Sequence, residues 1–171
     1  MKSKIRRPVN RIRPINRIRR PVNRITDSRL GELLIQWGVI NLKQLNKALA
    51  IQRKNSGKNG NQKLSGEILV ELGFTDDKYV TQAFAAQYRF PYLPLDNYDI
   101  DQDIANIISV KVARKHLLMP IDKIGDSISI AMSNPLDEKA IRKVEAETNC
   151  SVQAFVATPS DIKRKIEQHY N

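Results

Sequence analysis

Residues Arg29 to Gln52, RLGELLIQWGVINLKQLNKALAIQ, and Leu64 to Gln87, LSGEILVELGFTDDKYVTQAFAAQ, are one unit written twice. Laid over each other without a gap, they place Gly31 on Gly66, Leu34 on Leu69, Ile35 on Val70, Gly38 on Gly73, Leu45 on Val80, Leu49 on Phe84 and Gln52 on Gln87, a period of 35 residues. Within the first copy, Leu30, Leu33, Leu34 and Trp37 recur at helical spacing and are expected on one inward face, with Asp27 or Ser28 as the cap. Gly38 is expected to end that helix in the left-handed region. Asn41-Leu42-Lys43-Gln44 reads as a capping box opening a second helix through Gln52, with Leu45, Ala48 and Leu49 inward. The second copy repeats the plan, with Ile68, Leu69 and Leu72, a turn at Gly73, Thr75 or Asp76 as cap, then Tyr79, Val80, Ala83 and Phe84. A duplicated helix-turn-helix platform fits a ligand with two similar halves.

Outward from this core, residues 1–26 form a basic arm. Pro8-Val9-Asn10-Arg11-Ile12-Arg13, Pro14-Ile15-Asn16-Arg17-Ile18-Arg19 and Pro21-Val22-Asn23-Arg24-Ile25 repeat one pattern, and proline at that spacing stops a helix from propagating. An extended, mobile segment is expected. Ten of the 29 basic residues but none of the 18 acidic ones fall in residues 1–25, so the net charge of +11 belongs to the arm and the rest is nearly neutral. Such an arm suits an acidic protein surface, an anionic membrane surface or nucleic-acid phosphates, and charge alone selects none of them. Between the copies, Arg53 to Lys63 has no apolar residue and reads as an exposed loop.

After Gln87 the pattern changes. Short helices are expected over Ile104 to Ile108 and over Val110 to His116, the latter capped by Ser109. Strands follow at Leu118 to Ile124 and Ser127 to Met132, turned at Gly125-Asp126, then a helix over Leu136 to Thr148 with Leu136, Ala140, Ile141 and Val144 inward, and a strand over Ser151 to Ala157. Thr158-Pro159-Ser160-Asp161 opens the last helix, through Tyr170. The fold class is α+β: a tandem-motif helical subdomain at 27–89 and a small α/β subdomain, β-β-α-β-α, at 90–171.

No catalytic constellation is found, and the chain is read as not an enzyme. It has no phosphate-binding G-x-x-x-x-G-K-[ST] frame. His116 and His169 lack second ligands at metal spacing, Cys150 lacks a paired histidine, and the acid pairs Asp76-Asp77 and Asp99 with Asp101 sit at caps and in loops. One cysteine fits a reducing compartment, and no apolar run reaches bilayer length, so a cytoplasmic place is expected, with peripheral contact at the inner membrane open to the arm. An Arg at the entry of a Gly-opened helix suits a nucleotide, because a guanidinium stacks on a base or forks onto phosphate. Gly31 and Gly66 serve equally well for tight helix packing, and Gln52 and Gln87 for tying down loops.

Arg29-Leu30-Gly31-x-x-Leu34-Ile35-x-x-Gly38-x-Ile40-x4-Leu45-x3-Leu49-x-x-Gln52 and its second copy closely resemble the tandem motif of the MshEN family, the amino-terminal domain of type IV pilus assembly and type II secretion ATPases. The resemblance continues through Ile128-Ser129-Ile130-Ala131-Met132-Ser133-Asn134-Pro135 and covers residues 28 to 170. It implies a ligand, cyclic di-GMP, bound along the two motifs without any cofactor, or else a module that docks the pilus or secretion machinery. The contacts it implies are Arg29, Leu30, Gly31, Leu34, Ile35, Gly38, Leu45, Leu49 and Gln52 in the first copy. In the second they are Leu64, Gly66, Leu69, Val70, Gly73, Val80, Phe84 and Gln87. The second copy departs from the family pattern at Leu64-Ser65 and Thr75, the spacer is longer, and Asn134 stands where Asp is common. The chain ends at Asn171, before any ATPase domain, and is read as a stand-alone adaptor or a piece of a longer protein, the repetitive arm favouring the former.

Overall fold

The computed structural model describes residues 27–55 and 63–170. The basic arm and most of the spacer therefore lie outside the described residues. Four helices form the amino-terminal part: α1 (Asp27–Gln36), α2 (Leu42–Asn55), α3 (Ser65–Glu71) and α4 (Asp77–Tyr88). The expected capping box opens α2, with Asn41 N–H donating to Gln44 Oε1 at 2.8 Å and Gln44 N–H to Asn41 Oδ1 at 3.0 Å. The helix runs past Gln52 to Asn55, because Arg53 and Lys54 in its last turn face the negative end of the helix dipole.

Both glycine turns have the same geometry. Gly38 takes φ +71° and Gly73 φ +66°. Gly38 N–H bonds Ile35 O and Val39 N–H bonds Leu34 O, each at 2.9 Å; Gly73 N–H bonds Val70 O at 2.9 Å and Phe74 N–H bonds Leu69 O at 3.0 Å. This paired closure satisfies the last carbonyls of α1 and α3 and requires a left-handed residue at the glycine. Gly38→Ala and Gly73→Ala are each expected to cost about 1–2 kcal/mol, the left-handed penalty of an L side chain, which urea unfolding would measure. α1 packs against α3 and α4, and α2 against α3. Leu30, Leu34, Ile40, Leu45, Ala48, Ile68, Leu69 and Ala83 form one apolar core between them.

Trp37 and Tyr79 do not join that core. Both were expected inward, yet they are 44% and 42% exposed. Trp37 lies past the last helical residue of α1, where the chain turns out of helical register, and Tyr79 stands at the opening of α4 beyond the core. Neither Thr75 nor Asp76 caps α4 through its side chain.

The carboxy-terminal part begins with a 3-10 turn at Leu95–Asn97 and two short helices, α5 (Gln102–Ala105) and α6 (Val110–His116). α5 starts earlier than expected and stops before Ile108. Ser109 precedes α6 without capping it; its hydroxyl and N–H turn instead to the Glu147 carboxylate, 3.3–3.4 Å away. The strands β1 (Leu118–Ile124), β2 (Ser127–Met132) and β3 (Ser151–Val156) form a sheet in that order. β1 pairs antiparallel with β2 through a turn in which Gly125 has φ +56°. β2 and β3 are parallel, joined by α7 (Glu138–Thr148), as a same-sheet parallel connection requires. One face of the sheet, with Ile128, Ile130 and Met132, packs on Ala140 and Val144 of α7. The other, with Met119, Ala131 and Phe155, packs on Ile162 and Ile166 of α8 (Pro159–His169). Thr158 caps α8 as expected, accepting from Asp161 N–H at 3.1 Å.

α7 starts at Glu138, two residues later than expected, and Leu136 is exposed. The stronger acceptor decides its start. Asp137 takes the N–H groups of Lys139 and Ala140 at 3.1 Å each, and its other oxygen lies 3.0 Å from His116 Nδ1. Burial pushes the Asp137 pKa up, but the His116 hydrogen bond and the two backbone donors outweigh it and hold the carboxyl below its usual range. A folded pKa below the unfolded one stabilises fully above the unfolded value, about 3.9, and that contribution is lost as pH falls through the folded pKa. Asp137→Ala is expected to cost about 1 kcal/mol at neutral pH, the usual loss of a helix cap, and to weaken the acid dependence of stability. Urea unfolding at neutral and acid pH measures both.

Candidate functional site

The two motifs share an internal contact. A Cβ on Gly31 would stand 2.5 Å from Leu45 Cδ1, and one on Gly66 would stand 2.6 Å from Val80 Cγ1. These are matched positions of the repeat. In each copy the glycine of the first helix lets a branched side chain of the second come against its backbone, so both glycines serve close packing. The helical part is therefore a duplicated structure as well as a duplicated sequence.

The seventeen residues singled out from the sequence fall into distinct environments. Leu30, Leu34, Leu45 and Leu69 are buried in the core and Gly31 and Gly66 are pressed into it. Ile35, Leu49, Val80 and Phe84 pack against its edge with part of each side chain accessible, and Val70 is half-buried. Leu64 is exposed, as are Gly38 and Gly73 at their turns. Arg29 is placed by its backbone in the first turn of α1. Gln52 and Gln87 are buried polar residues near the carboxy ends of α2 and α4.

Arg29, Gln52, Leu64 and Gln87 thus belong to the helix ends away from the two glycine turns. Gln52 Nε2 donates to Lys63 O at 3.4 Å and so ties the end of α2 to the entry of α3. At Gln87, only 9% exposed, Oε1 has no hydrogen-bond partner among the described residues. A buried amide oxygen without a donor costs about 1–3 kcal/mol. The same end carries Arg53 and Lys54, and Lys63, whose Nζ is 2.5 Å from Glu71 Oε1. The Glu71 hydrogen bond and charge raise the Lys63 pKa.

At the opposite end, a cleft of about 1070 Å³ opens between the Gly38 and Gly73 turns. Trp37, Val39, Val70, Phe74 and Tyr79 give it apolar walls, and Asp76 and Asp77 give it charge. Of the implied contacts, Gly38, Val70 and Gly73 line it. No sequence pattern marks this cleft, because it depends on Trp37 and Tyr79 standing outside the core. Asp77 also links the two parts of the chain: its Oδ2 accepts from Ser160 N–H, at 3.4 Å, at the start of α8. Nearby, burial and then the charges of Asp161 and Asp77 raise the Tyr92 pKa. Among the described residues no cluster of His, Cys, Asp and Glu could hold a metal, and no helix is long and apolar enough to cross a membrane.

A duplicated helical platform together with a three-stranded α/β layer is the α+β architecture of the solved structures that the chain resembles. Residues 88–171 match the MshEN domain. Its likeness extends beyond that span. It is 32% identical over 142 residues to the type IV pilus assembly ATPase PilB of Myxococcus xanthus, covering 83% of this chain and 24% of the relative. The PilB of Thermus thermophilus is 24% identical over 148 residues, covering 85% of this chain and 16% of the relative. The chain spans about a quarter or less of these relatives' length. Among solved structures, MshE with cdg superposes with a TM-score of 0.65 at 27% identity, over 83% of this chain and 99% of that one. The amino-terminal domain of XpsE shares the fold, with a TM-score of 0.63 at 18% identity over 85% and 96% of the two chains.

Proposed function

We propose that this chain is a non-catalytic regulatory or adaptor domain that binds cyclic di-GMP across its two 24-residue motifs and passes occupancy to a type IV pilus or type II secretion-like machine. We take the cdg in the MshE structure to be this ligand, and that structure resembles the present chain over nearly its whole length. Gln87 Oε1 is the observation that carries the reading. It is a buried acceptor at the motif position equivalent to Gln52, and a guanine offers N–H donors of the kind it lacks. Charge supports the same end of the platform: Arg29, Arg53, Lys54 and Lys63 suit two phosphates, whereas Asp76 and Asp77 at the other end repel them. Arg29 is assigned to a guanine or phosphate as a planar fork. The boundaries 27–89 and 90–171 are proposed as the two subdomains, with a cytoplasmic location.

Isothermal titration of the full chain with cyclic di-GMP tests this. Saturable binding is expected, and Arg29→Ala is expected to weaken it by roughly 2–3 kcal/mol or more, about a hundredfold, as loss of a charge-assisted bidentate contact does. No heat at high micromolar ligand overturns the proposal. The alternative is a protein-docking module of the same machinery that binds no nucleotide. Its support is that Leu30, Gly31, Leu34, Leu45, Gly66 and Leu69 are used by the core, so packing accounts for much of the motif. A silent titration together with retained binding to a purified machinery component would select it.

A further inference from the structure

We infer that the cleft between the Gly38 and Gly73 turns is a docking groove for the chain's own basic arm, which inserts one Pro-Val/Ile-Asn-Arg-Ile repeat at a time. The groove combines two exposed aromatic rings, Trp37 and Tyr79, with the carboxylates of Asp76 and Asp77, and among the described residues no basic one lines it. This is chemistry for arginine. A guanidinium stacks on an aromatic face and forks onto a carboxylate. Phe74 shows the same affinity outside the groove lining, where Lys47 Nζ sits 5.5 Å from its ring centre.

The arm has the complementary composition. Residues 1–25 hold ten bases and no acid, and each repeat sets an arginine beside a proline and two β-branched apolar residues. The neighbouring Val39 and Val70 walls would receive those apolar groups. Reach is sufficient. The arm joins α1 at Asp27, and the far end of that ten-residue helix, about 15 Å away, leads directly into the Trp37 wall. About five extended residues cover such a distance, which brings the repeats at 14–19 and 8–13 within range. Tethering supplies an effective concentration in about the millimolar range, so even a weak contact is populated in the intact chain. The docked arm would shield the groove from other basic partners.

The experiment uses the full chain with Cys150→Ser, which removes the one thiol, and Asn16→Cys, which carries a nitroxide label in the middle repeat without changing charge. At low ionic strength the amides of Val39, Thr75 and Asp76 and the Trp37 indole should lose more than half of their NMR intensity. Recovery is expected in about 1 M salt, where the Debye length is about 3 Å, and in Asp76→Lys and Tyr79→Ala variants that keep a dispersed spectrum. Broadening spread evenly over the surface, or centred elsewhere, overturns the inference. So does broadening that appears in isotope-labelled chain mixed with spin-labelled chain, since the occupant would then be a second copy. An independent reading needs neither label nor cysteine change: Trp37 is the chain's one tryptophan, and its iodide quenching should rise severalfold from low salt to high salt. Unchanged shielding counts against the docked arm.

Discussion

Leu69→Ala should destabilise the helical part by about 3–5 kcal/mol, the range found when a fully buried leucine is truncated and its cavity cannot collapse. Leu69 has no exposed surface and sits with Leu34, also fully buried, where α3 meets α1. Matched positions of the repeat thus meet at the centre of one core, and Leu34→Ala should have a similar effect. A loss of this size approaches the whole stability of a small unit. Its reach along the chain is the informative part. The apolar core of α1 to α4 includes no residue of the sheet layer, and the two sheet-side cores include none of α1 to α4. Amide signals from residues 30–88 should therefore collapse in Leu69→Ala while those of 93–170 stay dispersed. Simultaneous loss of both sets would show that the two parts fold as one unit and would remove the proposed boundary at 89.

The elements that could be read from the sequence are those decided by neighbouring residues. β1 and β2 follow from alternation around Gly125-Asp126, and the start of α2 from Asn41 and Gln44, which bond each other across three residues. The glycine turns follow from a backbone conformation that side chains resist. Elements decided by distant partners were hidden. Ser109 looks like a helix cap until Glu147, 38 residues away in sequence, attracts its hydroxyl. Asn134-Pro135 looks like the opening of α7 until Asp137, oriented beside His116, takes the backbone donors. Trp37 has the spacing of a core residue but lies beyond the point where α1 stops being helical. The candidate site divides in the same way. Its duplication was legible, whereas the partition of its leucines into core and edge required the packing of α1 on α3 and α4.

Gln87→Leu should move stability and ligand affinity in opposite directions. The Oε1 atom is buried without a donor among the described residues, so an apolar side chain of similar volume should raise stability by about 1 kcal/mol or somewhat more, seen as a higher urea midpoint with unchanged slope. A residue that serves only packing would show that gain and nothing else. If the acceptor is kept for a guanine, the same substitution should also weaken cyclic di-GMP binding by about tenfold or more, because the ligand's donor is then buried against an alkyl group. Gln52 provides the internal comparison. Its Nε2 already serves Lys63 O, so Gln52→Leu should lower stability, by loosening the entry of α3, as well as affinity. A stability gain at Gln87 with unaltered titration would assign both glutamines to structure and leave the docking reading as the better account of the platform. A gain in stability joined to a loss in affinity would identify Gln87 as a group held at a folding cost for the sake of its ligand, in the copy of the motif that departs further from the family pattern.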